Sequence, residues 1–267
     1  MFIRPANRWQ AFGIHIVVSV FLFLVLASII YFFWYPGLLF HYDGGLEGIK
    51  LIAGVDFFIG PVLTLCVYKV GKKSLPFDLS VIAALQAACL AGGMWTVWQT
   101  HPAAVVYADG FFRSVSYQTF KDYGVEPKQV KLLQTLRPTW IAVDMPPEEL
   151  AKWRKKSAVA GMVDPDLFFQ TNYYVPLQAA QKDIAQAGKK STEILGFPVD
   201  RANESYLQGE NIRYYYAGLG AGAGYMAVDI STVAPVGFVV QMDREKSLLE
   251  RVRQVEVALM KLIDSLR

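Results

Sequence analysis

The chain has 267 residues, of which 54% are hydrophobic and only 18% charged, with a formal net charge of +3. A soluble domain carries roughly 25% charged residues, and a disordered chain needs low hydrophobicity and high charge, so the composition excludes disorder and points to membrane segments. Two cysteines exclude a disulfide scaffold.

The apolar excess is local. Residues 1–100 hold six basic and four acidic residues, whereas 101–267 hold 20 and 19. The second part has the charge density of a soluble domain and no concentrated basic face, so nucleic acid is not expected as a partner.

Three apolar stretches approach the roughly 20 residues that cross a bilayer. They are 11–35, 50–68 and 79–99, and only the second contains an acid in its interior, Asp56. The first is too long for a signal-peptide core, and Trp34, Tyr35 and Pro36 stand where a cleavage site would. Arg4 and Arg8 precede the first stretch, and Lys69, Lys72 and Lys73 lie between the second and third. The positive-inside rule therefore places the N-terminus in the cytoplasm and residues 101–267 outside it. Trp34, Tyr35, Trp95 and Trp98 fall at the outer ends of the stretches, where interfacial aromatics belong. The expected organisation is a three-helix membrane domain, 1–100, and an extracytoplasmic α+β domain, 101–267.

Within the membrane part, Asp56 is costly in hydrocarbon and calls for a partner. Ser28 and Gly92 or Gly93 lie near its depth, and Gln86 is a second deep polar residue. Two readings stand: internal helix–helix hydrogen bonds, or polar contacts with an incoming helix. Gly92 and Gly93 would let such a helix approach closely.

After His101-Pro102, Ala103 to Tyr107 reads as a strand, and Asp109-Gly110 as a two-residue hairpin turn leading into Phe111 to Val115. Ser116 to Tyr123 is expected as a short helix, Glu126 to Leu136 as another, and Thr139 to Asp144 as a strand. Pro146-Pro147-Glu148-Glu149 opens a helix running to about Ala160. Pro176 to Ala187 reads as a helix, and Ile212 to Ala217, Tyr225 to Ile230 and Gly237 to Met242 as an antiparallel meander. Gly218, Gly220, Gly222 and Gly224 match no phosphate-binding pattern and read as a hairpin loop.

No catalytic, metal or cofactor constellation emerges. The three histidines, His15, His41 and His101, have no metal-ligand spacing with each other or with either cysteine. The pairs Asp164/Asp166 and Glu148/Glu149 suit a turn and a helix start.

At the C-terminal end, Leu248, Val252, Val255, Leu259, Leu262 and Leu266 repeat at four- and three-residue steps, an a/d seam of fewer than three heptads. An amphipathic helix laid on the domain's own sheet and a seam for self-association or a partner helix both fit it.

A series of short motifs carries a family likeness. Phe33-Trp34-Tyr35-Pro36, Gly54-Val55-Asp56, Gly60-Pro61, Val67-Tyr68-Lys69, Gly71-Lys72-Lys73-Ser74-Leu75 and Phe77-Asp78-Leu79 follow in order, then Gln86 and His101-Pro102. With Gly224 to Asp229 and Gly237-Phe238 later, the chain resembles the TfpX/TfpZ family of type IV pilin accessory proteins. That resemblance implies a bacterial inner-membrane protein with a periplasmic domain. It implies no catalytic residues, and as partners a major type IV pilin or the pilus assembly machinery, besides membrane lipids. The competing expectations are an inner-membrane sensor or scaffold binding an envelope ligand, and a membrane-bound hydrolase using two distant carboxylates.

Overall fold

The computed structural model describes residues 7–54, 57, 60–160, 163–194, 209–220 and 222–240. The expected C-terminal seam and Asp56 lie outside them. The chain divides into two compact units. The first comprises Met1–Asp109, Arg113–Ala180 and Leu219–Ala221, and the second Gly110–Phe112, Gln181–Gly218 and Gly222–Arg267.

The first unit begins with helix α1, Arg8–Ile29. The Asn7 side chain caps it by accepting from the Gln10 backbone N–H at 2.9 Å. It continues as a π-helical turn, Ile30–Trp34, closed by a bond from Tyr35 N–H to the Ile30 carbonyl. Pro36 and Gly37, at φ 63°, then stop it. Two short helices follow, α2 (Leu38–Tyr42) and α3 (Gly45–Gly54), then α4 (Gly60–Val67) and the long α5 (Leu75–Thr100). Asp78 in the first turn of α5 holds Lys72 at 2.7 Å, favourable for a helix N-terminus.

Two helical stretches among the described residues are long and apolar enough to cross a membrane, Arg8–Trp34 and Leu75–Thr100. Only 11% of the most apolar part of each is buried, and side chains such as Phe21, Val17 and Trp95 stand mostly exposed. A soluble protein rarely exposes apolar surface on this scale, so membrane anchoring is the physical reading. The expected second span, 50–68, covers parts of α3 and α4, each too short to cross alone.

Strand β1, Pro102–Ala108, follows α5 after a single intervening residue. All seven of its residues are buried, so Pro-Ala-Ala-Val-Val-Tyr-Ala reads as a continuous small apolar run rather than an alternation. The turn Asp109-Gly110 has φ of 46° and 85°. Two positive φ values in a two-residue loop are the type I′ geometry that suits the twist of a hairpin. It leads to β2, Phe111–Ser116. The Ser116 hydroxyl then caps α6, Tyr117–Asp122.

The strand order in this unit is β4-β3-β1-β2, where β3 is Thr139–Val143 and β4 is Tyr174–Pro176. β3 runs antiparallel to β4 but parallel to β1, pairing Ala104 with Thr139 and Val106 with Ile141. The sheet is therefore mixed, which corrects the expectation of purely antiparallel strands. The long stretch between β1 and β3 supplies the crossover that a parallel pair requires. Within it, the helix expected over Glu126 to Leu136 is instead two 3₁₀ turns, Pro127–Gln129 and Lys131–Leu133. Each closes i→i+3 bonds, and Pro127 fixes the entry to the first. Helix α7, Pro147–Ala160, has the expected ends. The core gathers Val115, Phe120, Leu133, Ile141, Leu167 and Leu177, all at most 1% exposed.

In the second unit, α8 (Gln181–Ala187) is shorter than expected. Residues 174–176 are strand β4, and Leu177–Ala180 is a 3₁₀ turn. The strands β5 (Ile212–Leu219), β6 (Gly222–Asp229) and β7 (Ala234–Val240) lie in the order β5-β6-β7. β6 and β7 are antiparallel, with a bulge at Ala227/Val228. Their apolar face packs Ile212, Tyr214, Ala227 and Val239 together. The strands absorb most of the glycine series, since β5 runs to Leu219 and β6 begins at Gly222.

Ile141 is wholly buried at the β1–β3 pairing. Truncating it to alanine should cost about 3 kcal/mol. Thermal or denaturant unfolding of the detergent-solubilised protein reads this as a lowered midpoint.

Candidate functional site

The C-terminal ends of the first apolar helix and of α5 meet in an aromatic nest. His101, buried at the end of α5, donates its Nδ1–H to the Trp98 carbonyl. Its ring stacks on Trp34 at 5.3 Å, tilts on Trp98 at 4.6 Å and meets Tyr117 of α6 at 5.2 Å. Burial holds its pKa below the usual histidine value, with the carbonyl bond opposing the shift. Burial thus favours the neutral imidazole, a flat polar wedge among the aromatic rings.

Beside this nest lies the one acid buried in the described part of the helical region. Asp43 follows α2 and is only 6% exposed. Its Oδ1 accepts the Ser114 hydroxyl of β2 at 2.6 Å. The Gly220 N–H donates to Ser114 Oγ at 3.2 Å and also supports the carboxylate. Three segments far apart in sequence thus converge on one carboxyl. Burial pushes its pKa up to about 7, while the Ser114 hydroxyl and the Gly220 N–H pull it back. Gly220, at φ 28°, packs so closely that a Cβ would sit 2.7 Å from Asp43 Oδ1 and 2.8 Å from its backbone. Only glycine fits there. The arrangement can hold or release a proton without losing its hydrogen-bond donors. Among the described residues, no group of three metal-ligating side chains forms.

The membrane-segment residues singled out from sequence fall as follows. Ser28 donates to the Leu24 carbonyl of its own helix at 2.6 Å. Gln86 is buried where α5 passes Gly60 of α4, so close that a Cβ on Gly60 would overlap the Gln86 amide. Gly93 approaches Leu51, and Gly92 has open space at its Cβ position. Sequence reasoning weighed His15 as a metal ligand and gave it no partner; its Nδ1 meets Thr64 Oγ1 at 2.8 Å across α1 and α4. It passed over Asp43, whose one signal is an acid between an apolar helix and the Gly44-Gly45 pair.

Comparison with known proteins gives the family. Over 100 residues, 36% of this chain, the sequence is 34% identical to the fimbrial assembly protein of serogroups C1 and C2 from Dichelobacter nodosus, covering 74% of that protein. The chain belongs to the fimbrial assembly protein family. Fimbrial assembly proteins of serogroups E1 and I from the same organism are 35% and 34% identical over 100 residues. The aligned stretch covers 38% of the length of each. No family model matches the chain, and no solved structure does so significantly.

Two outcomes test the Asp43 site. A carboxyl with a raised pKa keeps its proton in the folded state where the unfolded chain has released it. Stability should therefore fall as pH rises from about 4 to about 7, then level off. Asp43→Asn should flatten that slope and raise the unfolding midpoint above pH 7 relative to the parent. Gly220→Ala should cost about 1–3 kcal/mol through overpacking against Asp43, read as a lower midpoint in the same assay.

Proposed function

We propose that the chain is a non-enzymatic accessory factor in type IV pilus biogenesis, of the TfpX/TfpZ kind, assisting assembly or stability of its cognate major pilin. The observation that carries this reading is the shared 100-residue stretch with the Dichelobacter fimbrial assembly proteins. Three membrane spans, a cytoplasmic N-terminus and a periplasmic C-terminal domain complete the proposal, supported by the two long apolar helices and by the lysines before α5.

The physical picture is a two-point grip. A pilin awaiting assembly keeps its N-terminal helix in the membrane and its globular head outside. A helix bundle joined to an outer domain can touch both. Two weak contacts on one molecule gain from effective concentration without either being tight. The open space at Gly92 suits close approach of a helix.

Deleting the gene should reduce surface pili, and in-membrane cross-linking should capture the pilin with the full-length protein. Gly92→Leu should lower the cross-linking yield several-fold while the unfolding midpoint stays near that of the parent. Normal piliation together with no captured pilin overturns the proposal.

A further inference from the structure

The segment between the second 3₁₀ turn and β3 sets an exposed apolar side chain beside an exposed cation. Leu136 is 78% exposed, the highest value of any large apolar side chain among the described residues. Arg137 next to it is also exposed. A leucine this open is unremarkable singly, so its meaning depends on where the loop sits.

Three independent contacts fix that position. The Arg137 guanidinium lies 5.6 Å from the ring of Phe33, on the last turn of the first apolar helix. The Tyr117 hydroxyl donates to the Leu133 carbonyl at 3.1 Å, and the Tyr117 ring stacks on Trp98 near the end of α5. The β1–β3 register pairs Ala104 with Thr139, which puts Arg137, two residues earlier, level with Pro102 at the start of β1. All three place the loop at the height where α1 and α5 end. Thr135 holds its shape, donating to the Arg137 carbonyl at 2.5 Å and meeting Thr139 Oγ1 at 3.0 Å.

We propose that the loop 134–137 is an interfacial anchor that seats Leu136 in the outer edge of the bilayer and sets Arg137 on anionic phospholipid headgroups. The occupant is the lipid surface around the protein's own helices, because the loop is continuous with their exposed apolar face through Phe33. Lys128 and Lys131 are exposed on the same segment and add positive charge facing the same medium. Arginine suits this place, since its planar group can lie on an aromatic ring and still hold a phosphate through its N–H fork. Each basic residue near an anionic surface adds electrostatic attraction to it.

This inference rests on the membrane reading of α1 and α5, and the test separates the two. The full-length protein, with Cys66→Ala and Cys89→Ala, carries one environment-sensitive fluorophore in vesicles of phosphatidylethanolamine and phosphatidylglycerol. Three sites are compared: Leu136→Cys, Phe21→Cys inside α1, and Lys155→Cys on α7. Leu136 is so exposed that labelling it leaves the fold intact. Lipids quenching at shallow depth should dim the label at 136 and leave that at 155 bright, with deep quenchers dimming the label at 21. Arg137→Glu should reduce the quenching at 136 several-fold. A label at 136 as bright as that at 155, with 21 quenched, overturns the anchor and leaves the membrane reading standing. A bright label at 21 overturns both. Quenching at 136 unchanged by Arg137→Glu overturns the headgroup contact.

Discussion

The structure of the first unit depends on one junction, the passage from α5 to β1 at His101. A membrane helix and a fully buried central strand are joined through a single residue. The imidazole is wedged among Trp34, Trp98 and Tyr117, so the chain cannot swivel there. Fixing β1 fixes its neighbours, because the parallel register places β3 relative to β1. Those two strands in turn set the height of Arg137 and its contact with Phe33. Local packing at one aromatic nest thus governs which residues of the sheet unit stand level with the ends of the two apolar helices.

Buried polar groups around this frame have different costs. The His15–Thr64 contact satisfies two groups across α1 and α4, in a medium where an unmet polar group costs several kcal/mol. Gln86 is close-packed on Gly60, so backbone proximity and a polar side chain occur together. Asp43 differs, because its donors favour the anion while burial favours the acid. Neither state is strongly preferred near neutrality. That balance makes its site sensitive to conditions that leave the rest of the fold unchanged.

Much of this was legible in the sequence because the signals are local. The long apolar runs of α1 and α5, the Asp109-Gly110 turn and the Pro-Glu-Glu entry to α7 each sit within a few residues. The parallel pairing of β1 with β3 was hidden, since strand direction depends on how the intervening chain crosses over. The 3₁₀ turns at 127–133 were mistaken for a helix because both share short-range apolar spacing, and only hydrogen-bond pattern separates them. Asp43 was not legible as a site. Its partner Ser114 stands 71 residues away, and Gly220 a further 106. Of the family likeness read from ordered motifs, the comparisons support the coarser part, kinship with fimbrial assembly proteins, whereas the place of Arg137 beside Phe33 required the register and the ring contacts.

The parallel β1–β3 pair also sets an order of events during biogenesis. β1 follows α5 directly in the chain, yet β3 comes about thirty residues later. Only the hairpin to β2 is available to it in that interval. Non-local pairings of this kind form late and slowly, and unpaired apolar strands are prone to aggregate while they wait. Formation of α5 and closure of the β1–β3 pair are therefore separated along the chain.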